Sequence, residues 1–164
     1  MLPDYFFVLD VESTALHGVP FAMGWVVVDT KTRVEIAHRY MSCLPVQVPD
    51  TWVVENVIPV LPPHTHLSFK ALVMDFATEW VQWRANGAWL ATDVAWPVEA
   101  KFLLQAVEID RRIVPVYPLI DIASVRLAKG LDPCASYARE SNELPAHHPV
   151  ADARQSARLL LEVL

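Results

Sequence analysis

Three apolar segments of strand length lie within the first 42 residues, and this feature constrains the fold most. Residues 5–10 (YFFVLD) form an apolar run that stops at a charged residue, as is typical of a buried central strand. Residues 23–28 (MGWVVV) and 34–41 follow, and the polar turn DTKTR separates them. The sequence therefore predicts an antiparallel meander of three strands at the start of the chain.

Helical patterns dominate the rest of the chain. Residues 68–85 place apolar side chains at intervals of three and four, which predicts one amphipathic helix. The remaining patterns predict a short strand at 88–92, a helix after Pro97, an apolar sheet-edge segment at 114–120, a helix after Asp121, a short helix from Asp132, and a final helix over 149–164. A chain of 164 residues with this alternation fits a single α/β domain over residues 1–164.

The segment from about residue 42 to 67 is rich in proline. Its prolines exclude a long helix and most paired strand; they are Pro45, Pro49, Pro59, Pro62 and Pro63. We expect a long ordered excursion from the domain. Such loops are often functional, and both a lid and a homodimer contact stay open.

Composition indicates a folded protein, and the first residues of the chain predict a cytoplasmic location. Hydrophobic residues make up 54% and charged residues 20% of the chain, which argues against disorder. Mean hydropathy is +0.28, but no apolar run approaches the length of a membrane span. The first ten residues have neither a basic region nor a small-residue cleavage site, so we expect no secretory signal, no membrane partner and a cytoplasmic location.

An acidic pair closes the first predicted strand. Asp10 and Glu12 are two positions apart, so their side chains point to the same face. Carboxylates this close repel each other, and Mg²⁺ or Mn²⁺ would remove the repulsion while also accepting phosphate oxygens. Two solvated acids at a strand end are the plainer alternative.

A histidine and a second acid stand at the other end of the chain. His147 precedes the last predicted helix and Asp152 lies in its first turn, so both can reach one point. A histidine there can take a proton from water, because its ordinary pKa of about 6.5 is adjustable near neutral pH. The alternative is that His147 or His148 caps the helix and Asp152 only favours its N-terminus.

The order of these motifs resembles the DEDDh exonucleases of the ribonuclease-H-like superfamily. An Asp-x-Glu pair (Asp10, Glu12), an Asp ahead of a helix (Asp93) and a His-x4-Asp motif (His147, Asp152) occur in the family's order, and the resemblance spans nearly the whole chain. The position four before Asp152 holds no tyrosine, so the histidine subgroup fits better. The resemblance implies a mixed central sheet flanked by helices.

More than one residue could be the acid of the second motif. Asp93 is preferred because it follows a short strand and precedes a helix, while Asp75, Glu79 and Glu99 are alternatives. The motif here lacks the asparagine that the family usually carries.

The resemblance implies a 3′-to-5′ exonuclease that uses two Mg²⁺ or Mn²⁺ ions and releases nucleoside 5′-monophosphates from single-stranded RNA or DNA. The implied roles are Asp10 as bridging ligand, Glu12 and Asp152 as ligands beside the attacking water, His147 as its base, Asp93 as ligand of the second ion, and Ser13 and Thr14 as substrate contacts. Bound cations would also offset part of the net charge of −6, which otherwise opposes binding of a polyanion.

Two further functions stay open at this point. One is a catalytically silent nucleic-acid-binding or protein-interaction module with the same fold. The other is an unrelated acidic metal-binding domain. The choice between RNA, DNA and very short oligonucleotides also stays open, because one backbone or side-chain contact can distinguish the sugars.

Overall fold

A five-stranded mixed sheet forms the centre of the molecule. The computed structural model describes residues 2–113 and 116–164. The sheet order is β3-β2-β1-β4-β5, with β1 Tyr5–Ser13, β2 Pro20–Asp29, β3 Glu35–Ser42, β4 Ala88–Thr92 and β5 Leu119–Asp121. Strands β1 to β3 are antiparallel, whereas β4 and β5 run parallel to β1. The predicted meander and the mixed sheet are confirmed.

Five α-helices surround the sheet in the described part of the chain. They are α1 Thr51–Asn56, α2 Phe69–Ala85, α3 Val98–Ile109, α4 Ile122–Ala128 and α5 Pro149–Val163. Single 3₁₀ turns lie at Ile58–Val60, Arg111–Ile113 and Ser141–Glu143. Side chains cap α1, α2 and α4, because Asp50, Ser68 and Asp121 each accept a backbone N–H of the first turn. None of these helices has the length and apolar character to cross a bilayer.

Two segments differ from the sequence prediction. The helix predicted from Asp132 does not form, because the Asp132 carboxylate accepts the backbone N–H of Cys134 and closes a local turn instead. The predicted edge segment at 114–120 contributes β5 at its end, whereas Val114 and Pro115 lie outside the described residues.

The proline-rich excursion is a folded part of the domain. It contains α1 and the 3₁₀ turn at Ile58–Val60, and the rest is irregular. The backbone N–H of Asp50 donates to Thr14 O at 2.8 Å, and the N–H of His66 donates to Ser42 O at 2.9 Å. These bonds hold α1 beside the loop that follows β1.

The two faces of β1 belong to different cores. Phe7, Leu9 and Val11 pack in a core with residues of α2 and α3, whereas Phe6 and Val8 pack in a second core with residues of α5. Because side chains alternate along a strand, Asp10 and Glu12 continue the set that faces α5. The alternation of side chains along β1 thus directs both carboxylates towards the last helix.

Gly24 lets the start of α5 lie directly on the sheet. It pairs with Asp10 across β1 and β2. A Cβ atom at this position would stand 2.4 Å from the backbone nitrogen of Val150 and 2.6 Å from the carbonyl carbon of Pro149. Only glycine permits such an approach, which brings the first turn of α5 against the end of β1.

Candidate metal centre and active site

Three of the predicted site residues converge from opposite ends of the chain. Glu12 lies near the end of β1, Asp152 in the first turn of α5, and His147 in the loop before that helix. One oxygen or nitrogen ligand atom of each lies within 4.8 Å of the others. A single cation can therefore be reached by all three side chains after small rotations.

Asp10 lies beside this group in surroundings that disfavour its charge. Its Oδ2 atom is buried and accepts no hydrogen bond from any residue that the structure describes. Burial raises the pKa of Asp10 well above its ordinary value, and the negative charges of Glu12 and Asp152 raise it further. A buried carboxylate without a partner is costly, so this group needs a proton or a cation.

The same surroundings raise the pKa of Glu12. Burial, followed by the charges of Asp152 and Glu99, raises the pKa of Glu12 from 4.5 to about 8. At neutral pH the metal-free site therefore retains protons that bound cations would displace. Carboxylate oxygens are the ligands that Mg²⁺ and Mn²⁺ prefer, so the residues present fit such ions.

Asp93 lies at the margin of the site. It follows β4 in a bend, and its carbonyl oxygen accepts the N–H of Ala123 at 2.9 Å. The residue is exposed, but the protein around its carboxyl group excludes enough water to raise its pKa, and Asp121 raises it further. The charge of Asp93 also raises the pKa of Asp10, so the two carboxylates influence each other.

Glu99 is a further member of the acidic site. It is only 9% exposed, lies in the first turn of α3, and accepts the N–H of Val11 at 3.3 Å. That N–H is available because β1 continues past Val8, the last residue that pairs with β4. Burial raises the pKa of Glu99 to about 7, and its charge raises the pKa of both Asp10 and Glu12.

Glu99 is one of the alternatives that the sequence offers for the second motif, and helical periodicity gives a further reason to select it. Glu99 shares the buried face of α3 with three apolar residues at helical spacing, Phe102, Leu103 and Ala106. An acid on the apolar face of a helix is a candidate for function. By contrast, Asp75 and Glu79 do not supply the second motif, because they bind the guanidinium of Arg39 at 2.6 and 2.8 Å.

The carboxylate of Asp152 is held from two sides. Arg139 Nη1 donates to Oδ1 at 2.6 Å, and the backbone N–H of His147 donates to Oδ2 at 3.1 Å. His147 has a φ of 65°, a left-handed conformation that costs energy for a residue with a side chain. Its ring packs against the Trp52 ring in a T-shaped arrangement, with centroids 5.0 Å apart.

His148 occupies a different environment. It is the residue before α5 and its ring packs against Tyr40, with centroids 5.5 Å apart. Burial lowers its pKa. The two adjacent histidines are therefore not equivalent, and His147 is the one within reach of Glu12 and Asp152.

A mostly apolar cavity of about 340 Å³ adjoins Glu12. Its walls come from the end of β1, the following loop, α1 and the start of α3; they are Val11, Glu12, Ser13, Ala15, Leu16, Asp50, Trp52, Val53 and Val98. Leu16 and Trp52, which line this cavity, are 66% and 54% exposed.

Ser13 and Thr14 lie at the base of this loop. The Ser13 hydroxyl donates to the carbonyl oxygen of Ala15, and Thr14 Oγ1 accepts the N–H of Val19 at 2.9 Å. Both residues are buried, so their side chains shape the loop. A direct contact with substrate stays a prediction for both.

Several solved structures share the fold of this chain over nearly its whole length. The nuclease domain of 3′hExo, described as a DEDDh family member bound to rAMP, superposes with a TM-score of 0.64 at 16% identity, over 98% of this chain and 91% of that chain. A full-length 3′-exonuclease gives a TM-score of 0.69 at 16% identity, over 99% and 82%. The cell-death related nuclease CRN-4 gives 0.66 at 14% identity, over 97% and 63%.

The chain has the ribonuclease-H-like fold of the DEDDh exonucleases. No protein-family model matches the sequence, and no curated protein matches it either. At these identities the likeness establishes the fold, while the chemistry depends on the residues of this chain. Neither the described residues nor the likeness supports the homodimer, which stays a prediction.

Proposed function

We propose that this protein is a metal-dependent 3′-to-5′ exonuclease that releases nucleoside 5′-monophosphates from single-stranded RNA or DNA. One observation carries the proposal: Glu12, Asp152 and His147 lie within reach of a single cation, and the buried Oδ2 of Asp10, which feels the charges of Glu12 and Asp152, has no described partner. Such a site is unfavourable without cations. The shared fold with 3′-exonucleases supports the same conclusion.

The residues that would hold Mg²⁺ or Mn²⁺ are Asp10, Glu12 and Asp152, together with Asp93 or Glu99. When bound, the ions supply charge that stabilises the phosphate oxygens and lowers the pKa of the attacking water. His147 accepts the proton of that water, because its ring is within reach of Glu12 and Asp152. Asp152 supports this step by fixing the backbone N–H of His147.

The cavity beside Glu12 suits the terminal base of the substrate. Trp52 and Leu16 provide apolar contacts that accept any base, which fits a stepwise removal of nucleotides without sequence preference. A base inserted there must be unpaired, so a single-stranded end is the expected substrate. The cytoplasmic location expected from the sequence is part of this proposal.

A time course on 5′-labelled oligonucleotides tests the activity. Single-stranded RNA and DNA of the same sequence are incubated with Mn²⁺, with Asp10→Asn as the inactive control and an EDTA lane. We expect a ladder that shortens from the 3′ end only in the wild-type lanes with Mn²⁺. Intact substrate in every lane would contradict the proposal and favour a binding module with the same fold.

Two variants separate the candidates for the fourth carboxylate. Asp93→Asn and Glu99→Gln each remove one charge with little change in shape. If Glu99 fills the role, Glu99→Gln loses activity by about 10²-fold or more while Asp93→Asn keeps most of it, and the reverse pattern assigns the role to Asp93. Equal, small losses in both would show that three carboxylates are sufficient.

A further inference from the structure

Arg139 lies outside all three acidic motifs, yet it makes a short contact with one of the candidate metal ligands. Its Nη1 atom stands 2.6 Å from Asp152 Oδ1 and 2.9 Å from the carbonyl oxygen of Glu143. The side chains of Arg139 and Asp152 are 22% and 16% exposed, so the pair is largely shielded from water. A partly buried, charge-assisted bond is stronger and more directional than a surface ion pair.

The segment that carries Arg139 is itself anchored to α5. Arg158 donates to the carbonyl oxygen of Ala138 at 3.0 Å and to the carboxylate of Glu143 at 2.7 Å. Glu143 is only 2% exposed and also accepts the N–H of Glu140 at 2.9 Å. The residues on both sides of Arg139 are therefore anchored, and its guanidinium also binds the carbonyl oxygen of Glu143.

Asp152 links Arg139 to the backbone of His147. Its first oxygen binds Arg139 and its second binds the backbone N–H of His147, whose left-handed φ needs such support. With both oxygens engaged, the carboxylate has one orientation. Arg139, Asp152 and His147 thus form one connected chain of hydrogen bonds beside Glu12.

We infer that Arg139 is a positioning residue that orients the Asp152 carboxylate for divalent-cation binding and, through it, holds His147 in its working conformation. The inference rests on the proposed function. It assigns Arg139 no contact with substrate. Partners behind a metal ligand commonly contribute 10- to 100-fold to metal affinity, and Arg139 has the geometry of such a partner.

Mn²⁺ binding to the metal-stripped protein tests this inference without any nucleic acid. Free Mn²⁺ is measured by electron paramagnetic resonance during titration of the wild type, Arg139→Gln, Arg139→Lys and Arg154→Gln. The last variant is a matched control, because Arg154 lies on the same helix as Asp152 but binds Glu35. We expect about 10-fold weaker binding in Arg139→Gln, partial recovery in Arg139→Lys, and wild-type binding in Arg154→Gln.

A second readout detects the effect on His147 directly. In the ¹H–¹⁵N spectrum of the metal-free protein, Arg139→Gln is expected to move the His147 amide signal while most other signals stay in place, which also shows that the variant is folded. Should that variant not fold, Arg139→Lys carries the same comparison, with weaker Mn²⁺ binding and a smaller shift of the same signal.

The outcomes separate the inference from the proposed function. Mn²⁺ binding in Arg139→Gln equal to or tighter than in the wild type would overturn the inference alone, since Arg139 would then be neutral or would compete with the cation. A wild-type protein that binds no Mn²⁺ would overturn the proposed function and this inference together.

Discussion

Removing a carboxylate from the site should stabilise the metal-free protein, and Glu12→Gln is the variant that shows it best. The pKa of Glu12 is about 8 in the folded protein against an ordinary value of 4.5. A raised pKa means that the unfolded chain loses its proton first, so the wild type loses stability as pH rises from about 4.5 to about 8. A glutamine has no such proton to lose.

The magnitude follows from the size of the shift. At about 1.4 kcal/mol for each pKa unit, the full shift corresponds to about 5 kcal/mol at pH 9. Glu12 is partly exposed and shares its protons with Asp10, so we expect about 2–3 kcal/mol in practice. For a domain of this size that gain raises the midpoint of thermal unfolding by about 5–10 °C. At pH 5 the gain should fall below about 1 kcal/mol.

Urea and thermal unfolding in EDTA, at pH 5 and pH 9, measure this gain. Glu55→Gln is the matched control, because Glu55 is an exposed glutamate of α1. Added Mn²⁺, at a hundred times its dissociation constant for the wild type, should stabilise the wild type by about 3 kcal/mol and the variant by less, so the gain from Glu12→Gln at pH 9 should shrink. A Glu12→Gln gain that is absent at pH 9, or equal at both pH values, would refute the electrostatic reasoning.

Three further variants test the proposed base, the base cavity and the packing of α5. His147→Ala should lower kcat by about 10²- to 10⁴-fold while Mn²⁺ still raises the unfolding midpoint; normal turnover would exclude the proposed base. Trp52→Ala should raise KM for single-stranded oligonucleotides by about 5- to 100-fold with little change in stability, and an unchanged KM would remove Trp52 from the base cavity. Gly24→Ala should cost about 1–3 kcal/mol of unfolding free energy and weaken Mn²⁺ binding, because it displaces the start of α5; a neutral substitution would show that the helix can shift freely.

Much of the fold could be predicted from the sequence because its local patterns agree with the final structure. The continuous apolar run of β1 matches a strand that is buried on both faces, the periodicity of α2 matches one buried face, and Pro149 begins α5 as predicted. The prediction of a helix from Asp132 was wrong, because the Asp132 carboxylate accepts the N–H of Cys134 and favours a local turn there. Short elements of this kind depend on single contacts that periodicity does not report.

The site could be predicted in part. The motif order singled out Asp10, Glu12, His147 and Asp152, and the structure brings Glu12, His147 and Asp152 together. Whether these side chains act as predicted stays a prediction. The contact of Glu99 with the site forms because β1 extends beyond the last residue that pairs with β4. The contact of Arg139 forms because an irregular segment folds back onto α5. The contacts of Arg139 leave no local pattern in the sequence, whereas Glu99 could have been selected as an acid on the apolar face of α3.

The most direct test of the central claim is the identity of the product. A short single-stranded oligonucleotide is digested in ¹⁸O-labelled water with Mn²⁺, and the released nucleotides are analysed by mass spectrometry, with Asp10→Asn as the control. We predict nucleoside 5′-monophosphates that carry one ¹⁸O on the phosphate, formed by the wild type and absent in the variant. Nucleoside 3′-phosphates, or the same product from Asp10→Asn, would contradict the proposed function.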